Sequence, residues 1–356
     1  MKRAILIDVI PKEMSRLQAE QDLEELSRLV KTYGGIVIVK VIQKRGRPSM
    51  KTYLGTGKAL EVMEIAKEEE ADMIIVNGML KPNQIQHLYA LFKIPVWDRV
   101  DLILKIFNKH AQTEEAKLQV ELARLNHEFP KLYGQGTRLS RLGGGIATRG
   151  PGEKYLETKK RHLRARIKEI EKKLKAIRKI HKGQRKVRRR KGLKTIALVG
   201  YTNSGKSTLL EALTHKKNVY IADELFATLD TKIGDLWLPN IQEKVLVADT
   251  IGFIKDLPPF LIKSFIATLE EVQEADLLLH IIDSSDPEME SNIEVVEEIL
   301  EDLECSDKQQ INVYNKKDKA LDAGSHQRRR ENSIEISART GEGIDKLKAL
   351  IEKAPI

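Results

Sequence analysis

The stretch Gly200, Tyr201, Thr202, Asn203, Ser204, Gly205, Lys206, Ser207 follows an apolar run, Thr195 to Val199, and precedes a helical pattern carrying Leu209, Leu210 and Leu213. Glycines at its two fixed positions let the backbone turn so that successive N–H groups converge on phosphate oxygens at a helix start. At this spacing Lys206 reaches the β- and γ-phosphates, and the Ser207 hydroxyl ligates Mg²⁺. Strand, loop and helix together predict a nucleoside triphosphate site.

Three further motifs follow in order, each after a predicted strand. After Lys244 to Ala248 come Asp249, Thr250, Ile251 and Gly252; the Asp249 carboxylate is suited to hold Mg²⁺ through water, and the Gly252 N–H to meet the γ-phosphate. After Gln310 to Tyr314 come Asn315, Lys316, Lys317 and Asp318. A carboxylate at Asp318 can accept both N–H donors on guanine's Watson–Crick edge, a pair that adenine does not offer. Asn315 is expected to tie the loop together and the Lys316 stem to cover the base. After Ser333 to Ile336 come Ser337, Ala338 and Arg339, where the Ala338 N–H is placed to donate to guanine O6. The set predicts GTP rather than ATP. Between the first two motifs lie Leu225, Phe226, Ala227, Thr228, Leu229, Asp230 and Thr231. A threonine here completes the Mg²⁺ shell and senses the γ-phosphate; spacing alone leaves Thr228 and Thr231 both open. A second switch is expected from Gly252 through Phe253 to Pro259.

The elements that must position these residues are legible from periodicity. Residues 193–356 alternate strands and helices and form the predicted nucleotide-binding domain. Residues 1–99 also alternate: Ala4–Ile7, Ile36–Ile42, Met73–Val76 and Ile94–Trp97 read as strands, and Leu17–Tyr33, Gly57–Glu70 and Pro82–Phe92 as helices. This predicts a small, mostly parallel sheet. Within it Tyr53 to Lys58 superficially resembles a phosphate loop. Its glycine spacing is wrong, and Ala59 stands where a hydroxyl is needed, so a helix-start turn is preferred to a second nucleotide site. Residues 100–192 read as long helices. Ile103, Phe107, Ala111, Leu118, Leu122, Leu125 and Phe129 form one stripe, and Leu163, Ile167, Ile170, Leu174, Ile177 and Ile180 another. Two such stripes joined by a loop predict an antiparallel helical hairpin.

The loop of that hairpin, Arg138 to Glu153, contains Arg138, Arg141 and Arg149 among five glycines. Contact with nucleic acid is ranked slightly above a flexible linker. The second helix is densely basic, with Lys172, Lys173, Lys175, Arg178, Lys179, Lys182, Arg185, Lys186, Arg188, Arg189, Arg190, Lys191 and Lys194. Few acids within the helix offset them, which favours a polyanionic partner over a solvated face. Gly192 marks the hinge into the nucleotide domain. The scattered histidines suggest no metal cluster, and Asn126-His127-Glu128 reads as a solvated helix edge.

The chain has 356 residues, a net charge of +10 and 32% charged residues. Length predicts two or three domains. A single cysteine, Cys305, excludes disulfides within the chain and fits a reducing compartment. No apolar run reaches the length of a membrane span, and Met1 to Asp8 reads as a strand rather than a signal peptide. A cytoplasmic, monomeric protein is expected.

Taken together, Leu142 to Glu153, the phosphate loop and Phe226-Ala227-Thr228-Leu229-Asp230 resemble the HflX-type GTPases of the translation-factor-related class, over essentially the whole chain. The resemblance places the Mg²⁺ threonine at Thr228. It implies GTP hydrolysis, binding to the large ribosomal subunit, a part in ribosome splitting or rescue, and an N-terminal region facing ribosomal RNA. The chain ends soon after its last predicted helix, Ile344 to Lys353, without the extra C-terminal domain of some members. Lys206, Thr228 and Gly252 are the catalytic candidates for attack of water on the γ-phosphate. Phe253 occupies the place where many GTPases carry a water-orienting glutamine, so slow intrinsic turnover is expected. A regulatory GTPase that binds a protein or an anionic membrane surface is the alternative.

Overall fold

Strand β1 (Lys2–Ile10) is buried from Ala4 to Ile10, a run apolar except for Asp8, as suits a strand covered on both faces. It leads to α1 (Arg16–Tyr33), whose start is capped by the Ser15 hydroxyl accepting from the Gln18 N–H at 3.1 Å. Next come β2 (Gly35–Lys44), α2 (Thr56–Glu68), β3 (Met73–Val76), α3 (Pro82–Phe92) and β4 (Val96–Asp98). The strands form one all-parallel sheet in the order β2-β1-β3-β4. Ile5, Ile7, Leu54, Val62, Ile74 and Val76 lie in its core, each worth about 1.5–3 kcal/mol on burial. In the Tyr53 to Lys58 segment, α2 starts at Thr56, and the Gly55 N–H donates to Gln43 Oε1 at 2.8 Å.

The structure is a computed structural model; it describes residues 1–132, 151–214, 225–226, 230–319 and 332–354. The glycine-rich loop residues 138–150 and the segment Ala227, Thr228 and Leu229 lie outside the described residues.

Two compact units result. One comprises residues 1–109 and 120–173, the other 110–119 and 174–356. Division by compactness thus shares the helices of 100–192 between the units. The single apolar stripe anticipated from Ile103 to Phe129 is broken: α4 (Arg99–His110) ends before α5 (Glu114–Lys131) begins. Thr113 accounts for the break, since its hydroxyl accepts from the Ala116 N–H at 3.1 Å and starts a new helix. The last long helix, α6 (Pro151–Arg190), runs for 40 residues and stops at Gly192, where φ is +70°. Within the first unit Arg166 grips both carboxylate oxygens of Glu121 at 2.8 and 2.7 Å. Within the second, His181 faces Glu115 at 3.6 Å. Both pairs have the antiparallel sense of a helical hairpin.

His127 is not on a solvated edge. It is buried beside Asp98 and Asp101, 3.2 Å from each. The three could ligate a metal by proximity, but Lys131 Nζ lies 3.3 Å from both carboxylates and supplies the cation itself.

The second unit carries β5 (Thr195–Val199), α7 (Lys206–Thr214), β6 (Lys232–Leu238), β7 (Glu243–Asp249), α8 (Pro259–Ser264), α9 (Ile266–Glu274), β8 (Leu277–Asp283), α10 (Met289–Asp302), β9 (Gln310–Asn315), β10 (Ser333–Glu335) and α11 (Ile344–Lys353). Its sheet order is β10-β9-β8-β5-β7-β6. All pairs are parallel except β6 with β7. Ile196, Leu198, Leu209, Val247, Leu279 and Val313 form part of its core, which fixes the strand ends from which the site is built.

Candidate functional site: a guanine-nucleotide pocket

The phosphate loop sits where β5 gives way to α7, at the carboxyl end of the parallel strands, where open α/β sheets bind ligands. Its glycines are required by close approach. A Cβ on Gly200 would lie 2.3 Å from the Ile281 carbonyl oxygen, and one on Gly205, at φ +94°, would lie 2.2 Å from Asn315 Nδ2. Asn203 also adopts a left-handed φ of +61°. Ser204 and Thr202 are buried.

Lys206 is buried, and its ammonium donates to the carbonyls of Gly200 at 3.1 Å and Tyr201 at 2.8 Å. Burial pushes its pKa down to about 8; Asp249 opposes this shift and Lys316 reinforces it. The Ser207 hydroxyl donates to Asp249 Oδ2 at 2.6 Å. A hydroxyl and a carboxylate this close at a helix start are the hard oxygen donors that Mg²⁺ selects, so Ser207 and Asp249 would hold that ion, which neutralises phosphate charge when bound. Thr250 Oγ1 donates to the Leu198 carbonyl at 2.6 Å, and Ile251 is buried.

Beyond Gly252, the second switch lies against the loop. The Phe253 N–H donates to the Gly200 carbonyl at 3.1 Å, and the Thr202 N–H to the Phe253 carbonyl at 2.7 Å. The Phe253 side chain is buried, 2% exposed. Tyr201 adds a link that no motif signalled: its phenolic oxygen accepts from the Lys255 N–H at 2.9 Å. A Cβ on Gly252 would meet Thr202 Cα at 2.7 Å. From the first switch, the Phe226 N–H donates to Thr202 Oγ1 at 2.9 Å.

A cavity of about 930 Å³ opens beside the loop, lined by Asn203, Gly205, Asn315, Lys316, Asp318 and Arg339 among others. Asn315 stitches it together. Its Nδ2 donates to the Ser204 carbonyl and its Oδ1 accepts from the Ala338 N–H, both at 2.9 Å. The Ala338 N–H thus meets Asn315 here, a different engagement from donation to a base. Lys316, at φ +63°, is held by Asp283 at 2.7 Å, an anchor that the motif reading missed. The Ser337 hydroxyl donates to Asp318 Oδ1 at 2.6 Å and keeps that carboxyl below the usual carboxylate range. Lys317 turns away to Glu342.

Two sequence expectations change. Asp230 points away from this pocket; its carboxylate meets Gln112 and Thr113 at the start of α5. The basic helix is also partly neutralised after all, chiefly by acids from α9, with Glu169 of the same helix pairing with Lys173. Arg178 and Arg185 pair with Glu270, Arg185 and Arg188 with Glu271, and Arg189 with Glu274. The cluster Glu270, Glu271, Glu274 is the signal that could have revealed this.

A phosphate loop, a strand-end carboxylate and a base-reading loop on one six-stranded sheet define a P-loop GTPase. Family models described as GTP-binding GTPase N-terminal, GTP-binding GTPase Middle Region and 50S ribosome-binding GTPase match residues 20–108, 110–188 and 195–316. The GTPase HflX of Caldanaerobacter subterraneus subsp. tengcongensis is 45% identical over 99% of this chain and 80% of its own length. That of Escherichia coli K12 is 40% identical over 94% of this chain and 79% of its own length. A GTP-binding protein of Sulfolobus solfataricus, solved in complex with GDP, aligns with 99% of this chain and 98% of its own at 25% identity and a TM-score of 0.51. The chain belongs to the HflX family of GTPases, which bind and hydrolyse GTP.

Proposed function

We propose that this chain is a GTP-driven switch acting on the large ribosomal subunit, with hydrolysis timing its release. The observation that carries this reading is the basic face left on α6 and the residue after it once the pairs to α9 are subtracted. Lys175, Lys179, Lys182, Lys186, Arg190 and Lys191 are exposed; among the described residues they form no ion pair. Such a run suits a phosphate backbone, which releases counterions on neutralisation. The match to a family described as 50S ribosome-binding supports the choice of partner. Arg138, Arg141 and Arg149 of the glycine-rich loop are the other proposed RNA contacts. The proposed nucleotide-binding domain is 193–356, preceded by a hairpin at 100–192 and an α/β subdomain at 1–99. The protein is proposed to work as a cytoplasmic monomer.

At the site, Lys206 is assigned to the β- and γ-phosphates, and Ser207, Asp249 and Thr228 to Mg²⁺. Gly252 is assigned to the γ-phosphate, and Asn315, Lys316, Asp318 and Ala338 to the base side. Lys206 must leave the Gly200 and Tyr201 carbonyls to reach a triphosphate, and doing so places its charge where negative charge develops. Phe253 has no polar atom with which to orient water, so intrinsic turnover is slow and the ribosomal partner completes the site. Cosedimentation with large subunits in GDP and in a non-hydrolysable GTP analogue tests the proposal, together with hydrolysis rates with and without subunits. Salt-sensitive binding that is stronger in the analogue, with faster hydrolysis on subunits, is expected. Equal binding in both states, or an unchanged rate, would refute it.

A further inference from the structure

The signature Phe226 to Asp230 ends in a carboxylate that does not touch the nucleotide pocket, and the structure shows what that carboxylate does instead. Residues 110–119 belong to the same compact unit as 174–356. Within that unit Asp230 accepts from the Gln112 N–H at 3.2 Å, from the Thr113 N–H at 3.5 Å and from the Thr113 hydroxyl. Thr113 is also the residue that starts α5. Asp230 therefore sits at the positive end of a helix of 18 residues, where a carboxylate is favoured.

Charges of both signs surround this contact. Glu115 lines the same cavity of about 240 Å³ as Thr113, His181, Arg188, Asp230 and Glu271. Burial raises the Glu115 pKa; His181 opposes that shift, and the negative charges of Asp230 and Glu270 add to it. Asp230 is thus drawn to the helix start by three donors and repelled by neighbouring carboxylates.

The other end of the signature is fastened too, by the Phe226 N–H on Thr202 of the phosphate loop. Only Ala227, Thr228 and Leu229 separate the two anchors. Thr228 stands two residues from Asp230, a reach of roughly 7 Å at full extension. With both ends of so short a segment fastened, a change of its path on nucleotide binding loads these two anchors.

We propose that Asp230 is a positioning residue: it fastens the exit of the first switch to the N-terminus of α5, so that the order of α5's first turn reports the nucleotide state. This rests on the GTPase reading of the site and assigns the final residue of the signature to the hairpin rather than to the nucleotide.

The test uses the full chain and variants Asp230→Ala, Thr113→Val and Thr113→Ser. Amide hydrogen exchange across residues 110–119 is compared in GDP and in a non-hydrolysable GTP analogue, alongside nucleotide affinity and the kcat and KM of hydrolysis. Wild type and Thr113→Ser are expected to differ between nucleotide states by about threefold or more in exchange rate, and Thr113→Val and Asp230→Ala to lose that difference. Nucleotide affinity should stay within about threefold in the variants while kcat falls, since a lost anchor misplaces Thr228 without removing a ligand contact. Exchange that remains state-dependent in Thr113→Val would overturn the proposal, as would wild-type exchange that is identical in both states. A loss of affinity of about tenfold or more in Asp230→Ala would return Asp230 to the nucleotide site. Failure of wild type to bind GTP at all would sink the GTPase reading instead, which the affinity measurement reports separately.

Discussion

Asn315 offers the sharpest test of how the pocket is built. Its amide bridges the Ser204 carbonyl of the phosphate loop and the Ala338 N–H of the base loop, and the residue is only 2% exposed. Asn315→Ala removes both partners and leaves a buried acceptor and a buried donor unpaired. Each such group costs about 1–3 kcal/mol. The cavity beside them admits water, which offsets part of that cost, so about 2–3 kcal/mol is expected in nucleotide affinity. At about 1.4 kcal/mol per tenfold, GDP should bind roughly 30- to 150-fold more weakly. Titration of a fluorescent GDP analogue, with far-ultraviolet circular dichroism to confirm folding, measures this directly. Gly205→Ala provides an independent check, since its Cβ would strike Asn315 Nδ2 at 2.2 Å, and should weaken binding in the same direction. Folded Asn315→Ala protein that binds GDP within about threefold of wild type would refute the reasoning, because buried donors and acceptors would then carry none of the affinity.

Asp318→Asn should weaken GTP binding by about a hundredfold and improve binding of xanthosine triphosphate, whose carbonyl replaces the guanine amine; competition titrations with both nucleotides decide it. Glu271→Ala takes the acid partner of Arg188 and leaves Arg185 with Glu270 alone, the two arginine side chains being 17% and 11% exposed, and should cost about 3 kcal/mol of unfolding free energy. A urea titration showing less than about 1 kcal/mol would contradict that. Asp8 is buried, and burial raises its carboxyl pKa against the opposing hydrogen bond from Asn77. Its folded-state pKa lies above the unfolded one, so its contribution favours folding at low pH and is lost as pH rises through the folded value. Asp8→Asn should therefore raise the melting temperature at pH 7 and leave it unchanged near pH 3, and thermal melts at the two pH values test the sign.

What the sequence revealed depends on whether chemistry or packing chose the residue. The phosphate loop, Asp249 and the Asn315–Asp318 loop were readable because phosphate and guanine impose residue types at fixed spacings after strand ends. The parallel sheet of residues 2–98 was readable because doubly covered strands leave continuous apolar runs. The partners of the α6 arginines were not, since Glu270 lies 85 residues from Arg185, and within-helix counting sees no such acid. The α4–α5 break escaped periodicity because Ala111 and Leu118 keep the stripe's spacing across it, while Thr113 interrupts the helix by capping. His127 read as solvated because its partner Asp98 lies 29 positions away, at the end of a strand. Asp230 was grouped with the nucleotide ligands because it ends their signature; only the fold shows its carboxylate at α5.

The antiparallel pairing of β6 with β7 has a kinematic consequence. Lys232 lies directly opposite Asp249, and the ladder runs through seven pairs to Leu238 opposite Glu243. The strand leaving Thr231 and the strand arriving at Asp249 are therefore the two sides of one ribbon, clamped rung by rung up to the end that meets Ser207 of the phosphate loop. Neither side can slide by one position without turning its alternate side chains inside out. A shift of either strand is consequently passed to the other through the same rungs, as one displacement of the ribbon.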